Sequence, residues 1–523
     1  MIEKNLVRRT WRRGARAGDV KISRVRTTIL GILFIWLLQM TYDVNKPSTA
    51  IRDVLKCATK NTHADLSFLD SAKPIHADEF LERRDRLAQA LVASNADAFV
   101  LEPGFAFQYV VPLGGCVCLL IPDRLRLPSF RYYGNVSKID WEPWEPEERP
   151  FLMLILPERS QSGDVSAKTA FLAPHFEEGR VRMLGIPSRD DNLDIVVCEE
   201  HCDPYATLLE SHLFAGFNGS TTPRMPKLMV DEEIRDFISR GLENAGFETI
   251  GLTPEAELVR QIKSPAEVEI LRAVNTGTVA AVRATRPCLV PGLTENEVRD
   301  ILNEVLLSVG FDLFFNIVLF EENGALPHGG FIVGSKKVTE DTMIVIDVGA
   351  HYLGYSSDIC RSFFINPTQP SVVSRIAGWL GLLGLPLPPE SVRDTSNPGL
   401  REEKLRVWDV VLLAQSAAAA ALQPNNTAAS VDVAARAIIQ DAGYGDRFTH
   451  RLGHGIGIKA HESPYLNKWN REVRLQAGMT FTNEPGIYIE GKFGVRHEDV
   501  YLVKNNGEAE LLTGRRASSP YEP

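Results

Sequence analysis

Two segments in the second half of the chain place acidic residues as mirror images about a turn. In MIVIDVGAHYLGYSSDICRSFF, Asp347 and Asp358 lie symmetrically about the turn His351 to Gly354. In FTNEPGIYIEGKFGVRHEDVYLV, Glu484 and Glu498 lie symmetrically about Gly491. If both segments are hairpins, each pair is opposed across two antiparallel strands, on one face, with Cβ atoms ~4.5–5.5 Å apart. Like charges that close are destabilising unless something positive sits between them. One pair alone reads equally as acids on a solvated strand face. Two pairs, in strands that otherwise read as buried, demand cations.

Histidines extend the set. The run Thr449-His450-Arg451-Leu452-Gly453-His454-Gly455-Ile456-Gly457 is too glycine-rich for a helix and reads as a strand or loop with close backbone approach. In an extended segment His450 and His454 face the same side, and His461 follows in His461-Glu462-Ser463-Pro464. One histidine with four carboxylates is a mostly hard, oxygen-rich donor set. It suits Mn²⁺, with Zn²⁺, Co²⁺ or Fe²⁺ as alternatives, better than a thiolate site would. Two such ions ~3.5–4 Å apart would share bridging carboxylates and generate a hydroxide nucleophile at neutral pH.

The surrounding pattern is that of a multidomain globular chain. Residues 1–60 read as leader and linker, 61–255 as an α/β domain, and 256–523 as an α+β domain. In the first domain, HADEFLERRDRLAQALVAS has helical spacing, and ADAFVLEP, FLMLILP and LDIVVC read as strands. The second opens on Ser264-Pro265-Ala266-Glu267, a capping Ser with Pro at the first helical position and Glu three residues after the cap. Thr294 to Glu297 repeats the device, and Gly310 stops that helix. Helices at about 400–423 and 429–442 and strands at 343–349, 357–365, 480–489 and 498–503 complete it. Paired helices with antiparallel hairpins give α+β rather than a doubly wound sheet.

The formal net charge of −10 over 523 residues argues against nucleic acid as a partner, because phosphate binding needs a basic face. Seven cysteines are too sparse for a disulfide framework, and the odd count leaves at least one thiol free. The acidic total hides a basic start: nine Lys/Arg in residues 1–26, followed by an apolar run from Ile29 to Leu38. That run is far short of the ~18 residues of a membrane span. It fits a secretory signal or signal-anchor, and membrane contact is expected only if residues 29–42 act as one. The sequons at Asn135, Asn218 and Asn425 would suit that route. A cytoplasmic location is nonetheless the expectation. Val110 to Tyr132 has no period and reads as a translated intron. The proline-rich 367–398 is a long insertion, and WEPWEPEERP (141–150) reads as an exposed loop, a mouth lining or a subunit contact.

Six segments, IKSPAEVEILR, ALPHGG, DVGAHYLGYSSDICRSF, HRLGHGIGIKAHESP, FTNEPGIYI and GVRHEDVYLV, together resemble the aminopeptidase P, prolidase and creatinase group of pita-bread metallohydrolases. The resemblance runs from about residue 260 to 515, and 77–250 looks like that group's smaller α/β amino-terminal domain. It implies a dinuclear centre, most simply of Mn²⁺, with Asp358 and Glu498 bridging, Asp347 on one metal, and His454 with Glu484 on the other. Glu484 would also be general base, and His328, His450 and His461 would orient substrate and stabilise the oxyanion. Arg496 matches the basic residue behind the bridging glutamate. Cys360 departs from the family's usual Thr, Asn483 and His497 replace apolar residues and point away from the metals by alternation, and His328 is followed by Gly-Gly instead of an aromatic. The implied activity is release of an amino-terminal residue before a penultimate proline, from a homodimer acting on peptides. Alternatives are a prolidase limited to Xaa-Pro dipeptides, a creatinase-like hydrolase of a small C–N substrate, and a non-catalytic binding protein.

Overall fold

The computed structural model describes residues 49–102, 149–189, 193–218, 224–366 and 398–523. Residues 29–42, 110–132, 141–148 and 367–397, on which several of the expectations above fall, lie outside this set. Among the described residues no helix is long and apolar enough to cross a membrane. The chain divides at Asp53 into Met1–Asp53 and Val54–Pro523. Only the first residues of helix α1 (Thr49–Thr62) are described in the leading unit, and everything below concerns the second.

The amino-terminal half is built on a six-stranded mixed sheet. After α2 (Ala77–Ala93) come β1 (Ala98–Leu101), β2 (Leu152–Arg159), β3 (Val165–Pro174), β4 (Asp194–Cys198), β5 (Lys227–Val230), α3 (Asp236–Ala245) and β6 (Glu248–Ile250). The strand order is β4-β3-β2-β1-β5-β6. Period-two alternation decides which face meets which helix. Phe99, Leu101, Met153 and Ile155 pack with Leu87 and Leu91 of α2, whereas Ala98, Val100, Leu152 and Leu154 pack with Ile238 and Leu242 of α3. Strands β3, β5 and β6 carry little alternation of their own and were not expected from the sequence.

The carboxy-terminal half follows through α4 (Pro254–Gln261). Both capping boxes close: Ser264 accepts from the Glu267 amide at the head of α5 (Pro265–Thr285), and Thr294 from the Glu297 amide at the head of α6 (Glu295–Ser308). Strand β7 (Asp312–Phe320) pairs with β8 (Ile344–Tyr352), which pairs with β9 (Tyr355–Ser356) and β10 (Ile359–Phe363). Helices α7 (Pro398–Ala421) and α8 (Ala428–Asp441) precede β11 (Gly453–Gly455), β12 (Glu462–Leu466), β13 (Thr480–Asn483), β14 (Gly486–Ile489), β15 (Phe493–Arg496), β16 (Asp499–Leu502) and β17 (Glu510–Leu511).

The two expected hairpins differ in outcome. The second keeps its register throughout: Gly486 faces Arg496, Asn483 faces Asp499, and Glu484 and Glu498 lie between those matched pairs. The first is shifted. Asp347 is paired with Cys360, and Tyr352 with Tyr355. The reason is the turn: Leu353 and Gly354 both have positive φ (45° and 85°), the two-residue geometry that matches the strand twist. The hairpin is thus centred between Leu353 and Gly354, not between Tyr352 and Leu353. Asp358 still shares the face of Asp347 but lies diagonal to it.

Of the residues read as leader and linker, 49–60 belong to helix α1, which ends beside the carboxy-terminal half, where Asn61 donates to the Ala284 carbonyl and Cys57 is disulfide-bonded to Cys288. Phe68 then packs edge-on against Phe311. Cys360 is free and buried, whereas Cys198 and Cys202 are free and more exposed.

Candidate metal centre

Strands β8 and β10, the β11 loop, and the hairpin running from β13 to β16 deliver the acids and histidines to one place. The ligand atoms of Asp347, Asp358 and Glu498 lie within 4.8 Å of one another, as do those of His454, Glu484 and Glu498. Glu498 belongs to both groups, so they are adjacent pockets sharing a wall. Asp358, His454 and His461 form a third such group.

Each donor is held by its own backbone setting. The His454 amide donates to Thr482 Oγ1 at 3.0 Å, and its Nδ1 donates to the Gly455 carbonyl at 3.1 Å. That fixes the tautomer and leaves the Nε2 lone pair facing Glu484 Oε1 at 3.4 Å and Asp358 Oδ2 at 3.6 Å. Thr482 Oγ1 reaches Glu484 Oε1 at 3.4 Å, and the Asp358 amide donates to Asn275 Oδ1 at 3.2 Å. Arg496 donates from Nη2 to Asp347 Oδ2 at 2.5 Å, and from Nη1 to Tyr488 Oη at 2.8 Å and the Pro327 carbonyl at 3.0 Å. Arg496 was expected behind the bridging glutamate. It is ion-paired with Asp347, and its charge also bears on Glu498.

The electrostatics record the crowding. Burial, then the charges of Asp347 and Glu484, push the Asp358 carboxyl well above its ordinary range. Burial, followed by Asp358 and Glu484, does the same to Glu498. Burial pushes Glu484 up to about 8, with Asp347 adding to the rise. Asp347 Oδ1 is buried without a hydrogen-bond partner. An orphaned carboxylate oxygen, a tautomer-fixed imidazole and three acids that resist ionisation together form a donor set that fits two divalent cations.

The remaining histidines ring this set. His450 Nδ1 donates to the Arg451 carbonyl at 2.6 Å, so its Nε2 accepts from Tyr488 Oη at 2.8 Å. Burial holds the His450 pKa down to about 3, consistent with that neutral tautomer. His461 is 61% exposed, with Nε2 3.9 Å from Asp358 Oδ2 and its ring edge-on to His454 at 4.2 Å. His328 sits exposed on the loop after Pro327. Tyr488, which links His450 to Arg496, was not expected. The only signal for it is its place six residues before Gly494 in a strand with a partner, which says nothing about its hydroxyl. His497 lies away from the metal side, fully buried against Trp408 with ring centroids 4.6 Å apart. Asn483 bonds the Gln415 carbonyl on that same rear face. Cys360 is a buried neighbour of Asp347 whose thiol burial keeps protonated.

The model of metallopeptidase family M24 matches residues 269–377 and 393–505. An uncharacterised peptidase of Schizosaccharomyces pombe is 34% identical over 95% of this chain and 93% of its own length. A Xaa-Pro dipeptidase of Pyrococcus furiosus is 33% identical, over 49% of this chain and 65% of that protein. Among solved structures, dipeptidase PepE from Mycobacterium ulcerans superposes with a TM-score of 0.65 at 24% identity, covering 86% of this chain and 100% of that one. An X-Pro aminopeptidase from Thermotoga maritima gives 0.56 at 22% identity, over 82% and 99%. The chain belongs to the M24 metallopeptidases, with the α+β pita-bread fold. It is a metallopeptidase hydrolase.

Proposed function

We propose that this metallopeptidase hydrolyses the amide bond before a proline, with Xaa-Pro dipeptides as its first substrates. The observation that carries the chemistry is the pair of donor groups sharing Glu498 beneath an exposed His461. The proline preference is supported by relatives above 30% identity that are named Xaa-Pro dipeptidases. Proline's tertiary amide lacks an N–H, so a site gripping that donor would fail and a shaped pocket is needed.

In this reading Asp347, Asp358, His454, Glu484 and Glu498 hold two divalent cations, Mn²⁺ first by their hardness. The cations would supply Lewis-acid polarisation and a lowered water pKa. Glu484, its Oε1 3.4 Å from His454 Nε2, takes the proton of the attacking water and passes it toward the leaving proline nitrogen. His461 and His328 meet the substrate from the open side. His450, kept neutral by burial and oriented by Tyr488 and the Arg451 carbonyl, presents its ring beside Glu484, with Nδ1 4.0 Å from Glu484 Oε2. Arg496 orients Asp347 through its ion pair.

The second reading is an aminopeptidase acting on longer chains. The exposure of His461, and of Leu326, Phe331 and Ile332 near His328, leaves room on that side for residues beyond proline. Hydrolysis of a Xaa-Pro dipeptide and a Xaa-Pro-containing pentapeptide, side by side, by protein stripped of metal and reloaded with Mn²⁺, separates the readings. Cleavage of the dipeptide alone establishes the first. Cleavage of the pentapeptide after its first residue establishes the second, and silence on both rejects proline-directed hydrolysis.

We further infer that the chain matures in an oxidising compartment, against the cytoplasmic expectation. Support comes from the Cys57–Cys288 disulfide, since such bonds do not persist in reducing cytosol. Thiol alkylation of protein from its native source, followed by non-reducing mass spectrometry, tests this. Two alkylated thiols at Cys57 and Cys288 would reject it.

A further inference from the structure

His461 projects over the metal centre, yet its own side chain has few holds: it is 61% exposed and its ring rests on His454. The residue after it is the opposite. Glu462 is buried, with its carboxylate 2.8 Å from the Lys263 ammonium, and both side chains are only 2% exposed. His461 closes the bend at 457–461 and Glu462 opens β12, so whatever fixes Glu462 pins the backbone that carries His461.

The hold on Glu462 is built from three parts of the chain. Its Oε1 accepts from the Lys459 amide at 3.2 Å and lies 3.7 Å from Arg260 Nε. Lys263 also donates to the Arg260 carbonyl at 2.6 Å, and Gln261 donates to Ser463 Oγ at 2.9 Å. Gly457 lies against this ion pair: a Cβ there would sit 2.8 Å from Lys263 Nζ and 2.9 Å from Glu462 Oε2. Outward, Arg260 and Lys459 are gripped by the turn after β5. Arg260 donates to Glu232 at 2.8 Å, and Lys459 reaches Glu232 at 2.7 Å and Glu233 at 2.6 Å. The cluster therefore runs from the amino-terminal sheet, through the connector 260–263, to the residue beside His461. On the strand side Glu462 is the backbone partner of Gly455, the neighbour of His454.

We propose that Lys263 and Glu462 are positioning residues for His461, and that Glu232 and Glu233 extend this hold so that the amino-terminal half takes part in aligning substrate. Neither Lys263 nor Glu462 touches the reacting atoms. The inference rests on the reading that His461 meets the substrate of a proline-directed hydrolase.

A bare Lys263→Met would strand a buried carboxylate, so the informative variant is the charge-neutral pair Lys263→Met with Glu462→Gln. With both metals retained by elemental analysis, this pair is expected to lower kcat on a Xaa-Pro dipeptide by about tenfold or more, since small misplacements of an orienting group cost up to ~100-fold. In a His461→Ala background the same pair is expected to cost less than about twofold, because residues acting through one another are not additive. Lys263→Arg should restore part of the activity. Lys459→Met, which cuts only the arm to the amino-terminal half, should give a smaller loss that Lys459→Arg repairs. This second series serves if the paired variant does not fold. Wild-type kcat in the paired variant or in Lys459→Met, or losses that multiply with His461→Ala, would overturn the proposal.

A substrate-free measurement separates this from the functional reading. In Zn²⁺-loaded protein with ¹⁵N-labelled histidine, the ring signals missing in His461→Ala are those of His461. They should shift or broaden in the paired variant and stay put in Arg272→Met, a surface control. Signals unmoved by the paired variant reject the positioning role. Wild-type protein inert toward every Xaa-Pro peptide would reject the functional reading alone.

Discussion

Arg496 donates to one oxygen of Asp347 at 2.5 Å while the other oxygen of that carboxylate, buried, has no hydrogen-bond partner. The guanidinium thus turns a single oxygen toward the centre, and its second nitrogen ties the group to Tyr488 and the Pro327 carbonyl. A lysine carries its donors on one nitrogen and lacks the planar fork that spans these three partners. Arg496→Lys is expected to lower metal affinity and kcat/KM by about 10–100-fold, as loss of a partner behind a ligand commonly does. Isothermal titration and steady-state kinetics check it. Wild-type values in both would show Arg496 to be a structural ion pair only.

Glu498 shares both donor groups, whereas Asp347 belongs to one. Glu498→Ala should therefore leave neither pocket able to bind, and Asp347→Ala should keep a single ion. Metal-to-protein ratios after gel filtration distinguish the two. Equal stoichiometry in both variants would mean the pockets do not share a wall in solution.

Glu484→Gln preserves shape and removes the base. Hydrolysis should fall by about 10²–10⁴-fold, the range supplied by general-base groups, with the protein still folded. Retained turnover would move the base elsewhere.

The raised carboxyls make a prediction about the metal-free protein. Glu484 has an ordinary value of 4.5 and a folded value of about 8. Between those values the unfolded chain has released a proton that the folded chain retains, so stability falls as pH rises through the window and is fully present only below it. Asp358 and Glu498 shift in the same direction. Melting curves of stripped protein should drop from about pH 5 to about pH 8, and metal should remove most of that slope. A flat profile for the stripped protein would show these acids to be ionised without metal.

Breaking the tether between α1 and the catalytic half is a stability test. Cys57→Ser with Cys288→Ser should lower unfolding free energy by roughly 2–4 kcal/mol, the usual range for a native disulfide. Denaturant titration reads it directly, and no loss would mean the bond does not form.

The catalytic half was more legible than the amino-terminal one because its signals are local. Ser264 and Thr294 announce their helices within four residues, and both caps form as read. Strands β3, β5 and β6 escaped notice because they are short or flanked by weak alternation, and are held by neighbours distant in sequence. The first hairpin pairs Asp347 with Cys360 rather than Asp358, two residues on, because the positive φ of Leu353 moves the turn centre by one residue.

From the sequence alone came the donors: four carboxylates and a histidine of the right hardness, on strands whose alternation puts them on shared faces. Tertiary structure alone decided their partners. Asp347 meets Arg496 across 149 residues, and Lys263 meets Glu462 across 199. Local rules govern which face a side chain takes, since strand geometry repeats every two residues. Which charge it meets there depends on how separate elements pack, and no local period encodes that.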